Sequence, residues 1–277
     1  MLRPFALLCL SACAVTAFAQ QTIRFGQEPA VARDTRDDTV VTAPQEVHRV
    51  PPPSADLTPA ELEKKGDDLR GEKNFADAID YFSAAIDKQP TAPLYNKRGM
   101  AKAGMMRFND AKKDFEKALK SDKKYAEAEN NIGAMLHYQR KLGPAIKHYK
   151  RAIQLEQRAT FYSNLGTAYF ASKDYKKAQA NYQTALQLDP DVFERQRSRT
   201  ATQFAAMTPQ ERAKYDYVIA KMYASRGESE RCLLYLRKAI EEGYPVAEDV
   251  RKDKEFAELR KDPRLKEILA WKPPQIN

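Results

Sequence analysis

Residues Phe161 to Pro190 read FYSNLGTAYFASKDYKKAQANYQTALQLDP, and this stretch decides the fold. Gly166 is followed by Ala178 twelve residues later and by Ala185 seven beyond that. Upstream, the same triple recurs as Gly66/Ala78/Ala85, Gly99/Ala111/Ala118 and Gly133/Ala145/Ala152, with successive glycines 33, 34 and 33 residues apart. A fixed period of this length marks a stacked repeat architecture. Four residues after the first Ala stands a large aromatic each time: Phe82, Phe115, Tyr149 and Tyr182. Within the quoted stretch Leu165, Tyr169, Ala178, Tyr182 and Ala185 keep helical spacings, so each half of the unit is a helix with one apolar stripe.

Each unit is thus two antiparallel helices, A and B. The small residues sit where the pair crosses, which lets the backbones approach. The aromatic is expected to fill the space between its repeat and the neighbour. These positions read as core, not as ligands. Leu69, Lys102, Leu136 and Tyr169 stand three after the glycines, and Pro90 and Pro190 close the first and fourth units, whereas Lys123 and Gln157 take that place in the second and third.

Together these residues resemble the tetratricopeptide repeat over about residues 59–190. The resemblance implies an all-α fold: a right-handed superhelical solenoid of helical hairpins, about five repeats long, with a C-terminal helical cap. Four repeats occupy 58–190. A weaker fifth, at 208–244, sets Ala220, Tyr223, Cys232, Leu236 and Ala239 in the same slots. Thr58-Pro59-Ala60-Glu61 and Thr208-Pro209-Gln210-Glu211 each spell a helix start with a capping box. Between lies an insert, 191–207, read as helical. It either redirects the superhelix or lengthens the fifth A helix. Residues 245–277 read as a cap, with Phe256, Leu259, Leu265, Ile268 and Leu269 as its apolar contacts and Trp271 as a capping residue.

The first nineteen residues read as a signal segment. Arg3 supplies the positive charge, Phe5 to Val15 is apolar, and Ala17-Phe18-Ala19 fits a small-x-small cleavage site before Gln20. A second reading stays open: Leu10-Ser11-Ala12-Cys13 resembles the lipobox of bacterial lipoproteins, with a lipid on Cys13. Cleavage after Ala19 is favoured, because the apolar run continues through Phe18. Both readings put the mature chain outside the cytoplasm, in the periplasm or secreted. Residues 20–57, with Pro29, Pro44 and Pro51-Pro52-Pro53, read as a disordered linker. The mature chain would keep one cysteine, Cys232, in a small-residue slot, a buried and inert thiol.

Charge is unevenly distributed. The chain carries a net +9, and residues 92–125 hold ten basic side chains against four acidic ones. Lys112, Lys113, Lys117 and Lys120 lie on helix B of the second repeat. They form either a solvated face or a basic surface for anionic headgroups or an acidic protein. An export signal disfavours nucleic acid as the partner.

By resemblance, the A helices line a concave groove. Its candidate contacts are Asn96, Met100, Asn130, His137, Tyr138, Ser163 and Phe170, bordered by Asn131 and Asn164; Glu63, Asp67, Arg70 and Thr167 share these slots. Asn can hydrogen-bond a peptide backbone with both donor and acceptor, though at these slots it can equally bridge adjacent repeats. Tyr138 and Phe170 could pack against a partner's apolar side chain. Glu63 and Asp67 stand where chaperone-binding relatives carry a carboxylate clamp, so that clamp is not expected. No phosphate loop, nucleophile elbow, H-E-x-x-H or paired cysteine motif occurs, and no cofactor or metal is implied. The sequence therefore reads as a non-enzymatic scaffold for a protein or peptide at the bacterial cell envelope. The alternatives are a Cys13-anchored factor for pilus or outer-membrane protein biogenesis, or a non-catalytic subunit of an envelope hydrolase or such a hydrolase itself, without a motif that marks it.

Overall fold

The computed structural model describes residues 50–199 and 207–270. The signal segment with Cys13, the linker up to residue 49, residues 200–206 and Trp271 lie outside the described residues. Helices α1 (Pro59–Gly71), α2 (Phe75–Lys88), α3 (Ala92–Gly104), α4 (Phe108–Ser121), α5 (Ala126–Tyr138), α6 (Leu142–Leu155), α7 (Ala159–Ala171) and α8 (Tyr175–Leu188) form four sequential hairpins. They are followed by α9 (Val192–Arg199), α10 (Pro209–Ser225), α11 (Ser229–Glu241), α12 (Val246–Lys252) and α13 (Pro263–Ala270). The described residues contain no strand, as the all-α reading requires. Both capping boxes form: Thr58 and Thr208 each accept from the N–H of a Glu three residues on, which reaches back to the cap N–H.

Each glycine closes its own hairpin. A Cβ added to Gly66, Gly99, Gly133 or Gly166 would stand 2.7, 2.7, 2.8 or 2.5 Å from the ring of Phe82, Phe115, Tyr149 or Tyr182. The aromatic therefore lies on the glycine of its own repeat, and the expectation that it fills the space between repeats is corrected. These rings are fully buried. The fifth hairpin, α10–α11, reverses the arrangement. Ala220 carries the Cβ, and Leu236, smaller and flexible, replaces the ring; both are fully buried.

The turn inside each hairpin is also periodic. Seven residues after each glycine the backbone turns left-handed, at Lys73, Met106, Arg140 and Lys173, with φ between 60 and 64°. The next residue's N–H closes the turn onto a carbonyl five residues back, as in Asn74 to Leu69 at 2.8 Å and Asp174 to Tyr169 at 2.9 Å. Gly227 (φ 74°) holds the same slot in the fifth hairpin, where glycine adopts this conformation without steric penalty.

Short loops make neighbouring helices antiparallel up to α9. Successive A helices α1, α3, α5 and α7 are closer neighbours than successive B helices, so the stack curves towards its A face. The chain ahead of α1 belongs to this body. Val50 and Leu57 pack on the first hairpin's core, Tyr81 donates to the Pro51 carbonyl, and Lys88 to that of Ala55 at 2.6 Å. Residues 50–57, part of the expected linker, thus cover the outer side of α2.

The insert changes direction. Val192, thirty-three residues after Ala159, opens α9 against α7, with Val192 and Phe193 buried. Helix α10 then starts at its own cap, so the insert does not lengthen it. Near its start, Lys214 lies 3.8 Å over the Tyr175 ring and Tyr215 meets Phe170 edge-on at 5.9 Å. These neighbours stand at the start of α8 and the end of α7. Near its end, Tyr223 donates to Glu194 at 3.0 Å. Helix α10 therefore runs with α8 and against α7. The fifth hairpin keeps the helix A and B slots but is inverted relative to the other four. Phe256, Leu265 and Ile268 of the C-terminal segment complete its core, and Arg260 donates to the Val250, Arg251 and Asp253 carbonyls at the end of α12.

Gly66→Ala should destabilise the protein by about 1–3 kcal/mol through overpacking against Phe82. Phe82→Leu alone should cost about 1 kcal/mol. Urea unfolding of the double variant should show a loss about 1 kcal/mol smaller than the sum, since it copies the Ala220–Leu236 solution. Strict additivity would show that the glycine slot does not answer to the ring.

Candidate functional site

The A-helix face is held by a ladder between repeats. The residue two before each glycine donates to the residue three before the preceding glycine. Lys97 Nζ reaches Glu63 Oε1 at 2.6 Å, Asn131 Nδ2 reaches Asn96 Oδ1 at 2.9 Å, and Asn164 Nδ2 reaches Asn130 Oδ1 at 2.8 Å. Asn130 Nδ2 donates to Asn131 Oδ1 at 3.4 Å, linking two rungs. Asn96 Nδ2 meets the Met100 Sδ at 3.8 Å. The first rung is ionic. Burial works against the Lys97 ammonium, but Asp67 and Glu63 outweigh it and hold its pKa above the usual lysine range.

The groove assignment divides at α7. Every residue from Ser163 to Phe170 is buried. Phe170 packs edge-on against Tyr175 at 5.4 Å as well as Tyr215. The apolar partner expected for Phe170 is the protein's own inverted hairpin, and Ser163, Asn164 and Thr167 lie in the interior with it. His137 on α5 is 1% exposed. Its Nδ1 has no hydrogen-bond partner among the described residues, and burial pushes the ring's pKa down to about 4, with Arg140 acting in the same direction. Arg140 pairs with Glu211 of α10 at 3.3 Å, tying the end of α5 to the start of the inverted hairpin. Asn96 is buried within the ladder. Five groove candidates, Asn96, His137, Ser163, Asn164 and Phe170, are thus buried, and Asn96 and Asn164 make the repeat-to-repeat bridges that the sequence also allowed.

What remains open is the face of α1, α3 and α5. Glu63, Asp67, Arg70, Lys97, Met100, Asn130, Asn131 and Tyr138 are all half-buried there. Tyr138 rests on Phe108, with centroids 5.1 Å apart. The bonds of Asn130 described above use one of its two amide N–H groups and one of its two acceptor sites, leaving both functions for a ligand. Lys97 was missed as a site residue. Its signal is the slot it shares with Asn131 and Asn164.

The basic candidates lie on the opposite face. Lys112, Lys113, Lys117 and Lys120 are exposed along α4. Lys112 pairs with Glu116 at 3.5 Å and Lys113 with Asp110 at 3.7 Å, while Lys117 lies over the Tyr95 ring. Below them Asp114 is buried between Arg98 and Lys102, both at 2.7 Å. Burial would raise its pKa, but the two cations prevail and hold it below the usual carboxylate range. Lys102, in the slot that holds Leu69, Leu136 and Tyr169 in the other repeats, is thereby explained. The Cys232 thiol is buried, and that burial pushes its pKa up to about 12, which matches an inert thiol. Among the described residues, no group of three or more His, Cys, Asp or Glu side chains could hold a metal ion.

Comparison with known proteins bears on the same repeats. Family profiles described as tetratricopeptide repeat match residues 92–125 and 159–192. The chain is 27% identical over 138 residues to small glutamine-rich tetratricopeptide repeat-containing protein 2 of Saccharomyces cerevisiae, covering 50% of this chain and 38% of that one. It is 25% identical over 225 residues to the Hsp70-Hsp90 organizing protein of Triticum aestivum, covering 75% and 37%. The chain thus spans less than two fifths of either relative. Among solved structures it is similar to a thermophilic TPR protein of Thermus thermophilus, with 18% identity, 73% of this chain and 100% of that chain covered, and a TM-score of 0.48. The protein carries tetratricopeptide repeats.

The buried His137 sets a pH dependence. Above its ordinary pKa near 6.5 the ring is neutral folded and unfolded. Below it the unfolded chain binds a proton that the folded chain refuses until about pH 4. Stability should therefore fall as pH drops through this window, by up to about 1.4 kcal/mol per pH unit. Denaturation of wild type and His137→Leu across pH 4–7 should show the difference between them shrinking or reversing towards acid; a constant difference would place the ring in contact with solvent.

Proposed function

We propose that this repeat protein is a non-catalytic scaffold that holds a partner protein or peptide along the open face of α1, α3 and α5. The observation that carries this reading is the contrast along one helix row. Every residue from Ser163 to Phe170 on α7 is buried, whereas Glu63, Asp67, Met100, Asn130 and Tyr138 in these slots on the first three repeats are half-buried, and Asn130 keeps unspent hydrogen-bonding capacity. An extended segment laid across them would meet Asn130 with its backbone amides. Tyr138 and Met100 would receive its apolar side chains, and the Glu63–Asp67–Lys97 cluster its polar ones. The Hsp70-Hsp90 organizing protein is named for organising two proteins, which is consistent with a scaffold role.

We place this scaffold at the bacterial cell envelope, in the periplasm or secreted, on the strength of Arg3, the apolar run to Val15 and the Ala17-Phe18-Ala19 site. A second reading rests on Leu10-Ser11-Ala12-Cys13: a form anchored by a lipid on Cys13, serving pilus or outer-membrane protein biogenesis. Mass spectrometry of the mature N-terminus separates them, since one begins at Gln20 and the other at a lipid-modified Cys13.

Crosslinking and capture from the envelope should recover a partner with wild type and lose it with Asn130→Ala/Tyr138→Ala, while Asn164→Ala, inside the covered segment, should retain it wherever its melting temperature shows a folded protein. Equal capture by the wild type and the Asn130/Tyr138 double variant would sink the open-face assignment.

A further inference from the structure

The outer face carries a feature that the scaffold reading does not use. Helix α4 packs less closely on α5 than α2 does on α3 or α6 on α7. One slot accounts for it. The residue after the first Ala of helix B is Ile79 in α2 and Ile146 in α6, but Lys112 in α4. A lysine there turns its ammonium to solvent and leaves Leu119 and Leu136 half-buried, next to the buried Ile132 and Met135. The result is a cleft of about 470 Å³ between α4, α5 and α6. Leu119, Ile132, Met135 and Leu136 supply apolar lining; Lys112, Lys141, His148 and Arg151 are its basic residues, and Glu116 and Glu129 its acidic ones. Its volume falls in the range of pockets that take a small ligand or a large side chain, roughly 300–1,000 Å³.

Charge complements this shape. The other flank of α4 is a hollow of about 370 Å³ in which Arg98, Lys102, Lys113, Lys117 and Lys120 outnumber Asp110, Asp114 and Glu116. The carboxylates nearby each have a cation: Asp114 lies between Arg98 and Lys102, Glu129 meets His148 at 2.6 Å and Arg151 at 4.0 Å, Asp110 meets Arg107 at 3.0 Å and Lys113 at 3.7 Å, and the exposed Glu116 meets Lys112 at 3.5 Å. The second repeat keeps its excess of ten basic over four acidic residues, so the ridge and its two flanks attract negative charge.

We infer that the cleft beside α4 is a second docking site, on the face opposite the A helices, for an acidic segment of a partner protein that inserts one large apolar side chain. A protein segment fits better than a lipid surface. The apolar floor lies between helices, where a single projecting side chain reaches it and a flat bilayer does not. The lysines then set the encounter rate and the registry, and the floor supplies the anchor.

Fluorescence anisotropy on the full chain tests this with three labelled peptides: a tryptophan flanked on each side by four glutamates, an all-glutamate peptide of equal length, and the tryptophan flanked by lysines. The glutamate–tryptophan peptide should bind about tenfold or more tighter than either other one. Lys112→Glu/Lys141→Glu should weaken it about tenfold or more, and raised salt should act in the same direction. Asn109→Trp, at an exposed site lining the cleft, should remove the advantage of tryptophan while the helical circular-dichroism signal stays intact. Asn130→Ala, on the A-helix face, should leave binding unchanged. Equal binding of the two acidic peptides, or indifference to both cleft variants, overturns the site. Binding to phosphatidylglycerol vesicles without binding to any peptide overturns it in favour of a lipid surface.

Discussion

The contact between a glycine and a ring inside each hairpin is the constraint on which the architecture rests. A glycine in a helix interior costs up to about 1 kcal/mol relative to alanine. Here it lets a fully buried aromatic lie on bare backbone four times over. The gain is geometric as much as energetic: with the ring seated on its own A helix, the two helices of a hairpin are locked at one separation, and the ladder on the A face adds them in register. The fifth hairpin shows that the rule concerns volume and not residue type, because Ala220 and Leu236 fill the space that Gly and an aromatic fill elsewhere.

Much of this was legible in the sequence, and what was not has identifiable causes. The hairpins follow from the Gly–Ala–Ala period. Both capped starts follow from Thr-Pro-x-Glu. The left-handed turns do not, because Lys73, Met106, Arg140 and Lys173 take a conformation usually marked by Gly or Asn. The inversion of α10 was hidden for a different reason. Slot residues specify how a hairpin packs inside itself, and those contacts survive when the whole hairpin is turned end for end; its orientation is fixed by contacts such as Tyr215 on Phe170 and Lys214 over Tyr175.

The candidate site was legible as a row of positions but not as a surface. Asn96, Asn130, Asn131 and Asn164 have the chemistry to hold a peptide, and that same chemistry joins repeat to repeat. Comparing the slot two before each glycine with the slot three before the preceding one would have exposed the ladder, Lys97–Glu63 included. Burial of Phe170 could not be read locally, since Tyr215, which packs on it, lies forty-five residues away.

The reversed hairpin has a bearing on growth. A repeat stack is open-ended in principle, each unit offering the next a seat, and identical chains can add end to end by that route. With its last described hairpin facing backwards and Phe256, Leu265 and Ile268 packed into its core, this chain turns that seat aside after the fourth repeat.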